Sequence, residues 1–501
     1  MKTFVAVLLT FACGSLLANP PESVRLAVSG ATADRMENGC WKVTCPPGAE
    51  QVNLMFTGIA SGSDVEAFAF DFYAEDLSRF SGFMQRVFDA DMKGFLRFSV
   101  SPYHQREWSV LRVEKAKGTP ARGGCADWTR VGGVKFTVEV VSPEGGVFFL
   151  GAPRPIRPLR LAPSRPGERR LGWCTAMALG GRRNWDETAA FLKRHGFTDM
   201  IVLASRGACA YFESRNLPRP DDWNKDYDNV RQGLAAARRH GLLFHAWKTC
   251  WQVRSDTPKS YKARLAADNR YQVTAEGKVD AGWLCPSDPQ NRALELGIMK
   301  EFVDLGADAI HFDYMRYAGT AHCFCARCLK GFSEQEGRTV ANAAAVRADA
   351  ALLKRWNAYR AELLSSVVRE CADYAHAHGR KVSAAVRRDP PRDLEVAAQD
   401  WVRWCREGWL DVVCPMDYYW SPDVYRGFLE RQRDCLKGVK TEFCPGLGVS
   451  YNGCPAMPVP NLIEELNILR EMGFGGFTAF SIDSHAEKVF PALFGAVGSN
   501  L

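Results

Sequence analysis

Residues 227–249 read YDNVRQGLAAARRHGLLFHAWKT, an amphipathic stretch from Tyr227 to His240 followed by an apolar run from Gly241 to Thr249. Glycine adopts the left-handed conformation that ends a helix at little steric cost, so the segment predicts helix, tight turn and strand. Similar apolar runs stand at Leu171–Leu179, Thr198–Ser205, Ala307–Asp313, Lys381–Val386, Leu410–Asp417, Thr441–Val449 and Gly475–Ile482, making eight. Amphipathic stretches at Asp186–His195, Asn291–Leu305, Leu352–His378 and Asn461–Met472 lie between them, closed by Gly196, Gly306, Gly379 and Gly473. Eight strand-helix units over roughly 320 residues predict a (β/α)8 TIM barrel over 170–495. An open doubly wound sheet would carry a GxGxxG or GxxxxGK(S/T) loop after a strand, and no strand here is followed by one.

Upstream the texture changes. From Ser23 to Gly151 the runs are short, alternating or aromatic, as in Val65–Tyr73, Gly94–Val100, Trp108–Val113 and Gly133–Val141, with no long helical period. Such runs predict a β-sandwich, jelly-roll or immunoglobulin-like, over 19–151. Pro153, Pro155, Pro158, Pro163 and Pro166 then mark 152–169 as an extended, semi-rigid linker.

Ahead of both domains, Lys2, an apolar run from Phe4 to Phe11 and small residues after it read as a secretory signal peptide over 1–18, cleaved before Asn19. Acylation of Cys13 is the competing reading, giving a lipid-anchored surface protein, although Thr10-Phe11-Ala12 is a poor lipobox. No later run reaches the length of a membrane span, so an exported protein is expected. The composition, 47% hydrophobic and 24% charged over 501 residues, excludes wholesale disorder. The net charge of +7 is too dilute to support a nucleic-acid partner. Few disulfides are expected. Cys40 and Cys45 are close enough to bridge a short loop, whereas Cys174, Cys209, Cys414 and Cys444 sit in apolar runs as buried small hydrophobes.

Barrel enzymes gather their chemistry at the carboxyl ends of the strands. Here those ends carry Arg206 and Tyr211 (strand two), His245 and Trp247 (three), His311, Asp313 and Arg316 (four), Asp417, Tyr419 and Trp420 (six) and Asp483 (eight). Carboxylates among rings and cations suit glycosidic cleavage, which needs one carboxyl as acid and another as nucleophile or base. Asp313 is the expected nucleophile or base and Asp417, across the mouth, the expected proton donor. The other residues are expected to bind substrate. Glu442, Asp288 and Asp483 are reserve carboxylates. No cofactor is required for such catalysis.

The segments Ser205-Arg206-Gly207 with Ala210-Tyr211, Phe244-His245-Ala246-Trp247, Trp283 to Pro289, Ile310 to Tyr317 and Val413 to Tyr418, in order between 171 and 483, resemble the glycosyl hydrolase-like family ten proteins. The resemblance implies a TIM barrel, a polysaccharide-type substrate and a strand-four carboxylate at Asp313, with His245, Trp247 and Arg316 in the site. Asp417 departs from the family pattern, which has an uncharged residue there. Its role rests on analogy with barrels that use strand-four and strand-six aspartates.

His322-Cys323-Phe324-Cys325-Ala326-Arg327-Cys328 interrupts the resemblance just after strand four. Cys323, Cys325 and Cys328 have the spacing of a structural zinc site completed by His322 or Cys285, with a disulfide plus a free thiol as the alternative. Trp108 and Trp128 give the first domain the look of a carbohydrate-binding module. The sequence therefore predicts an exported glycoside hydrolase acting on a polysaccharide or oligosaccharide. The alternative is a non-catalytic glycan-binding surface protein on the same scaffold. A metal-dependent hydrolase built on His245 and His311 is a third reading.

Overall fold

The structure is a computed structural model describing residues 23–495 except 38, 63–64, 103–107, 122–127, 158–159, 176, 179–180, 183, 225, 419–420 and 451–456. The expected signal peptide with Cys13, and the expected sugar platforms Tyr419 and Trp420, lie outside the described residues. The chain divides into two compact units, 1–160 and 161–501. No helix among the described residues is long and apolar enough to cross a membrane.

The first unit contains two antiparallel sheets. One orders Arg25–Ser29, Gln51–Thr57, Val131–Val140, Phe80–Asp89, Phe95–Phe98 and Thr119–Ala121, and the other runs from Arg154–Ile156 through Ala67–Ala74, Gly146–Leu150 and Trp41–Cys45 to Thr32–Arg35, with Ser109–Glu114 also paired to Ala67–Ala74. Period two decides which residues form the core. Val52, Leu54 and Phe56 alternate inward from one sheet, and Phe136 lies 5.6 Å from Phe70 of the other. Trp128 is fully buried in this core, while Trp108 stands exposed beside Tyr73 and Phe149.

The proline-rich stretch is shared by the two units. Arg154–Ile156 pairs with Ala67–Ala69 as an edge strand, where the missing N–H of Pro155 costs no ladder bond. Residues 162–168 are held within the second unit, where the Arg470 guanidinium donates to Ser164 and Glu168.

In the second unit a parallel sheet forms a TIM-like barrel from Arg169–Cys174 (strand one), Asp199–Arg206 (two), Leu243–Thr249 (three), Ala309–Asp313 (four), Lys381–Val386 (five), Val412–Pro415 (six), Glu442–Phe443 with Gly446–Gly448 (seven) and Gly476–Phe480 (eight). Strand seven is broken at Cys444-Pro445 and changes partner there. Glu442–Phe443 pairs with strand six, and Gly446–Gly448 pairs with strand eight. Pro445 cannot donate, but its carbonyl accepts from Thr478 N–H at 2.9 Å, which carries the ladder across the break.

Alternation sorts the strand residues into two cores. Leu171, Trp173, Ile201, Leu203, Trp247, Ala385, Val412 and Cys414 cluster inside the ring. Met200, Val202, Phe244, Ile310, Phe312 and Val413 face the surrounding helices. Two of the helices beside the mouth start on side-chain caps: Asp228 accepts from Arg231 N–H at 2.8 Å at the head of Asn229–Arg239, and Asp288 accepts from Asn291 N–H at 2.9 Å ahead of Pro289–Asp304. Gly241, with φ of 64°, makes the left-handed turn from Asn229–Arg239 into strand three.

Candidate active site

Strand four ends at the mouth with its carboxylate pointing inward. Asp313 Oδ1 accepts the N–H of Tyr314 at 2.7 Å, and Oδ2 accepts the indole N–H of Trp247 from strand three at 3.1 Å. The chain turns immediately afterwards at Tyr314, whose φ of 53° is a left-handed conformation that costs a bulky residue about 1–3 kcal/mol and recurs at functional sites. The Arg316 guanidinium covers the Tyr314 ring at 4.4 Å, Arg254 approaches it at 5.8 Å, and Trp283 packs 5.9 Å away.

Burial pushes the Asp313 carboxyl up to about 6, against the opposing pull of Arg316 and the two N–H donors. It therefore exchanges a proton within the near-neutral range, as an acid-base group must. Trp247 is engaged as a hydrogen-bond donor to this carboxylate.

Beneath Asp313 lies a closed polar layer. The Trp173 indole N–H donates to His311 Nε2 at 2.9 Å, and an indole nitrogen can only donate. His311 must therefore be the Nδ1–H tautomer, and its Nδ1 lies 2.8 Å from Ser383 Oγ. Burial, reinforced by nearby His245, holds its pKa well below the usual imidazole value, so the ring is neutral. His245 is enclosed between Ser383 Oγ at 2.8 Å and Asp199 at 2.9 Å. Against the upward push of burial, hydrogen bonds from His245 and Arg169 hold Asp199 below the usual carboxylate range. Arg169 also pairs with Glu442. With their ring nitrogens so engaged, His245 and His311 belong to the barrel's interior layer, and Glu442 belongs to an ion pair at the opposite end from the mouth.

A second group gathers where strands two and three end. Tyr211 donates to Asp256, Arg206 lies 3.7 Å from the same carboxylate, and Trp223 stacks on Tyr211 at 4.7 Å. Asp256 Oδ1 is buried without a partner among the described residues. Gly207 lets these loops meet: a Cβ there would fall 1.9 Å from the Gln252 carbonyl oxygen. Asp256, Arg254 and Trp223 were missed by sequence reasoning, which inspected strand ends, and Tyr314, inside the quoted strand-four segment, was given no role. Asp256 lies several residues into a loop, and its only sequence signal is its position after a strand.

Asp417 is placed elsewhere. Met416 and Tyr418 pack with the interior cluster, so alternation turns Asp417 outward among the helices. Its Oδ1 accepts from Gln432 at 2.7 Å, and Tyr425 and Glu465 lie within electrostatic reach. Burial, only partly opposed by the Gln432 hydrogen bond, pushes its carboxyl up to about 7. The structure thus brings Asp313, Trp247 and Arg316 together, and Arg206 with Tyr211, while Asp417 sits behind the strand layer. Asp483 accepts from Ser450, Ser481 and the His485 N–H and anchors the turn after strand eight. Asp288 is occupied as a helix cap.

The only cysteine group with metal-ligand geometry among the described residues is Cys285, Cys323, Cys325 and Cys328, whose sulfurs lie within 4.8 Å of one another. Of the two fourth ligands left open by the sequence, Cys285 joins the set. His322 instead faces Asp280, with Nε2 3.1 Å from its carboxylate. No disulfide forms among the described residues, the Cys40 and Cys45 thiols included.

No protein-family model matches the chain, and no curated protein matches it. Among solved structures, the glycoside hydrolase domain of PgaB (BpsB) from Bordetella bronchiseptica matches with a TM-score of 0.50 at 15% identity, covering 65% of this chain and 99% of that one. The catalytic domain of a β-amylase from Paenibacillus polymyxa follows at 0.45 and 10%, covering 63% and 92%. The glycoside hydrolase domain of PelA from Pseudomonas aeruginosa gives 0.36 and 11%, covering 62% and 94%. The first likeness establishes a glycoside-hydrolase-like TIM fold. At that identity it speaks for the fold alone.

Proposed function

We propose that the protein is an exported glycoside hydrolase, akin to the glycosyl hydrolase-like family ten proteins, that cleaves a polysaccharide or oligosaccharide at the barrel mouth. The observation that carries this reading is the buried Asp313 carboxyl, pushed to about 6 and oriented by the indole N–H of Trp247 and the backbone N–H of Tyr314. A carboxyl raised to about 6 by burial is the usual device for proton transfer to a glycosidic oxygen. Asp313 is accordingly assigned the acid-base role. Asp256, with its unpartnered Oδ1, takes the second carboxyl role in place of Asp417. Arg206, Tyr211, Trp223 and Arg316 line the sugar path. Trp108, with Tyr73 and Phe149, gives the first unit, read as a β-sandwich, an exposed aromatic face suited to a sugar ring.

The test is incubation with a polysaccharide panel, reading released oligosaccharides by mass beside Asp313→Asn and Asp256→Asn. Release that each substitution cuts by at least about 100-fold is expected of acid-base groups. Release unaffected by Asp313→Asn would overturn the assignment. The position of Asp417 behind the strands favours a second reading, a glycan-binding protein that retains the groove without the two-carboxylate reaction. Saturable glycan binding with no product would establish that reading instead.

A further inference from the structure

We propose that Cys285, Cys323, Cys325 and Cys328 hold one structural Zn2+ that ties together the two loops shaping the mouth beside Tyr314. The sulfur geometry is the first argument. Zinc-thiolate bonds of about 2.3 Å directed at tetrahedral corners place the sulfurs about 3.8 Å apart. Cys285 Sγ lies 3.6 Å from Cys325 Sγ, 3.5 Å from Cys328 Sγ and 3.7 Å from Cys323 Sγ. A disulfide requires about 2.05 Å. A cluster of several irons would need sulfurs further apart than the 4.8 Å that bounds this group. Four thiols fill the coordination sphere and leave no position for water, so the metal is structural.

The surroundings supply a second, independent argument. Four thiolates around Zn2+ carry a net charge of −2 that needs donors and a counter-charge. The Val273 N–H donates to Cys323 Sγ at 3.2 Å, and the Cys328 N–H to Cys325 Sγ at 3.5 Å. Arg360 is buried within electrostatic reach of Cys323 and Cys328 and forms no salt bridge among the described residues. Its guanidinium donates only to neutral acceptors, the Gly319 carbonyl at 2.8 Å and Asn357 Oδ1 at 3.1 Å, lies over the Tyr317 ring at 4.4 Å, and has its Nε unpartnered. A buried guanidinium without a carboxylate is costly unless an anion faces it. A tetrathiolate zinc centre is that anion.

The tie joins parts that are otherwise separate in the chain. Cys285 follows the hairpin Tyr271–Val273/Val279–Leu284, whose Trp283 packs against Tyr314. Cys323, Cys325 and Cys328 belong to the segment after strand four, and Cys325 opens the helix Ala326–Glu336. The metal thus fixes the hairpin to the segment that carries Asp313 and Tyr314.

Elemental analysis of the purified full chain is expected to find one zinc per molecule. Cys285→Ser and Cys328→Ser should lower this at least fivefold, whereas Cys371→Ser, a buried cysteine outside the group, should leave it unchanged. Exchange of cobalt into the wild-type protein should produce the intense thiolate-to-metal absorption of a tetrahedral site, a readout that survives if the serine variants fail to fold. Arg360→Met should speed zinc loss to a chelator about 10-fold, as outer-shell substitutions do. Metal-free protein with no cobalt spectrum, or peptide masses showing these cysteines as cystines, would overturn the proposal. Iron in place of zinc would overturn the metal's identity.

Discussion

Replacing Asp313 by Asn should make the barrel more stable, and by an amount that depends on pH. In the folded protein the carboxyl titrates near 6, against 3.8 for an unperturbed aspartate. A folded-state value above the unfolded one means that the folded state holds the proton more tightly. The benefit is complete below about pH 4 and is lost as pH rises through 6. Two pH units at about 1.4 kcal/mol each put the cost of the buried charge near 3 kcal/mol at pH 7–8. Asn removes the charge but turns an NH2 group toward either Tyr314 N–H or Trp247 Nε1–H, a loss of about 1 kcal/mol. Urea unfolding of wild type and variant, followed by tryptophan fluorescence, should therefore show the Asp313→Asn variant ahead by about 2 kcal/mol at pH 8 and no longer ahead at pH 4. A difference between the two proteins that stays constant from pH 4 to pH 8 would refute a raised Asp313, and with it the acid-base assignment.

Asp417→Asn should leave turnover within about twofold and raise stability above pH 7, where the carboxylate lies charged beside Glu465; a loss of turnover comparable to that of Asp313→Asn would return Asp417 to the reaction. Lys248, fully buried 3.4 Å from Glu295, donates to the Gly207 carbonyl. Lys248→Met should cost about 3–5 kcal/mol in urea unfolding by stranding Glu295, and adding Glu295→Leu should recover most of it. Gly207→Ala should destabilise by more than about 1 kcal/mol, because its Cβ would meet the Gln252 carbonyl at a left-handed position; an unchanged urea midpoint would contradict that geometry.

The barrel was legible because helical and strand periods repeat with glycine between them, a local signal carried by each unit. Alternation along strands three and four likewise tells that His245 shares a face with Trp247, and His311 with Asp313. It does not tell how deep each residue sits, and depth separates the enclosed histidines from the mouth. Beyond the last paired residue the pattern needs a register, and for Asp417 that register is set by where Met416 and Tyr418 pack. Asp256 meets Tyr211 and Arg206 only through the folding of two loops, which no spacing encodes. The choice of Cys285 over His322 depends in the same way on a hairpin whose path is tertiary.

The break in strand seven also bears on how the barrel is made. Strand one pairs with strand two on one side and with strand eight on the other, so its second edge, Arg169–Trp173, stays open until Gly476–Phe480 has been synthesised. Gly446–Gly448 waits for the same strand. A nascent chain that has reached residue 448 is therefore an open ribbon with two unsatisfied edges, prone to pair with other chains. Because Pro445 separates the two halves of strand seven, the Glu442–Phe443 half can dock on strand six early while the other stays unpaired. Closure then falls to the last strand released by the ribosome, and loss of residues 476–480 would remove the closing partner of both edges at once.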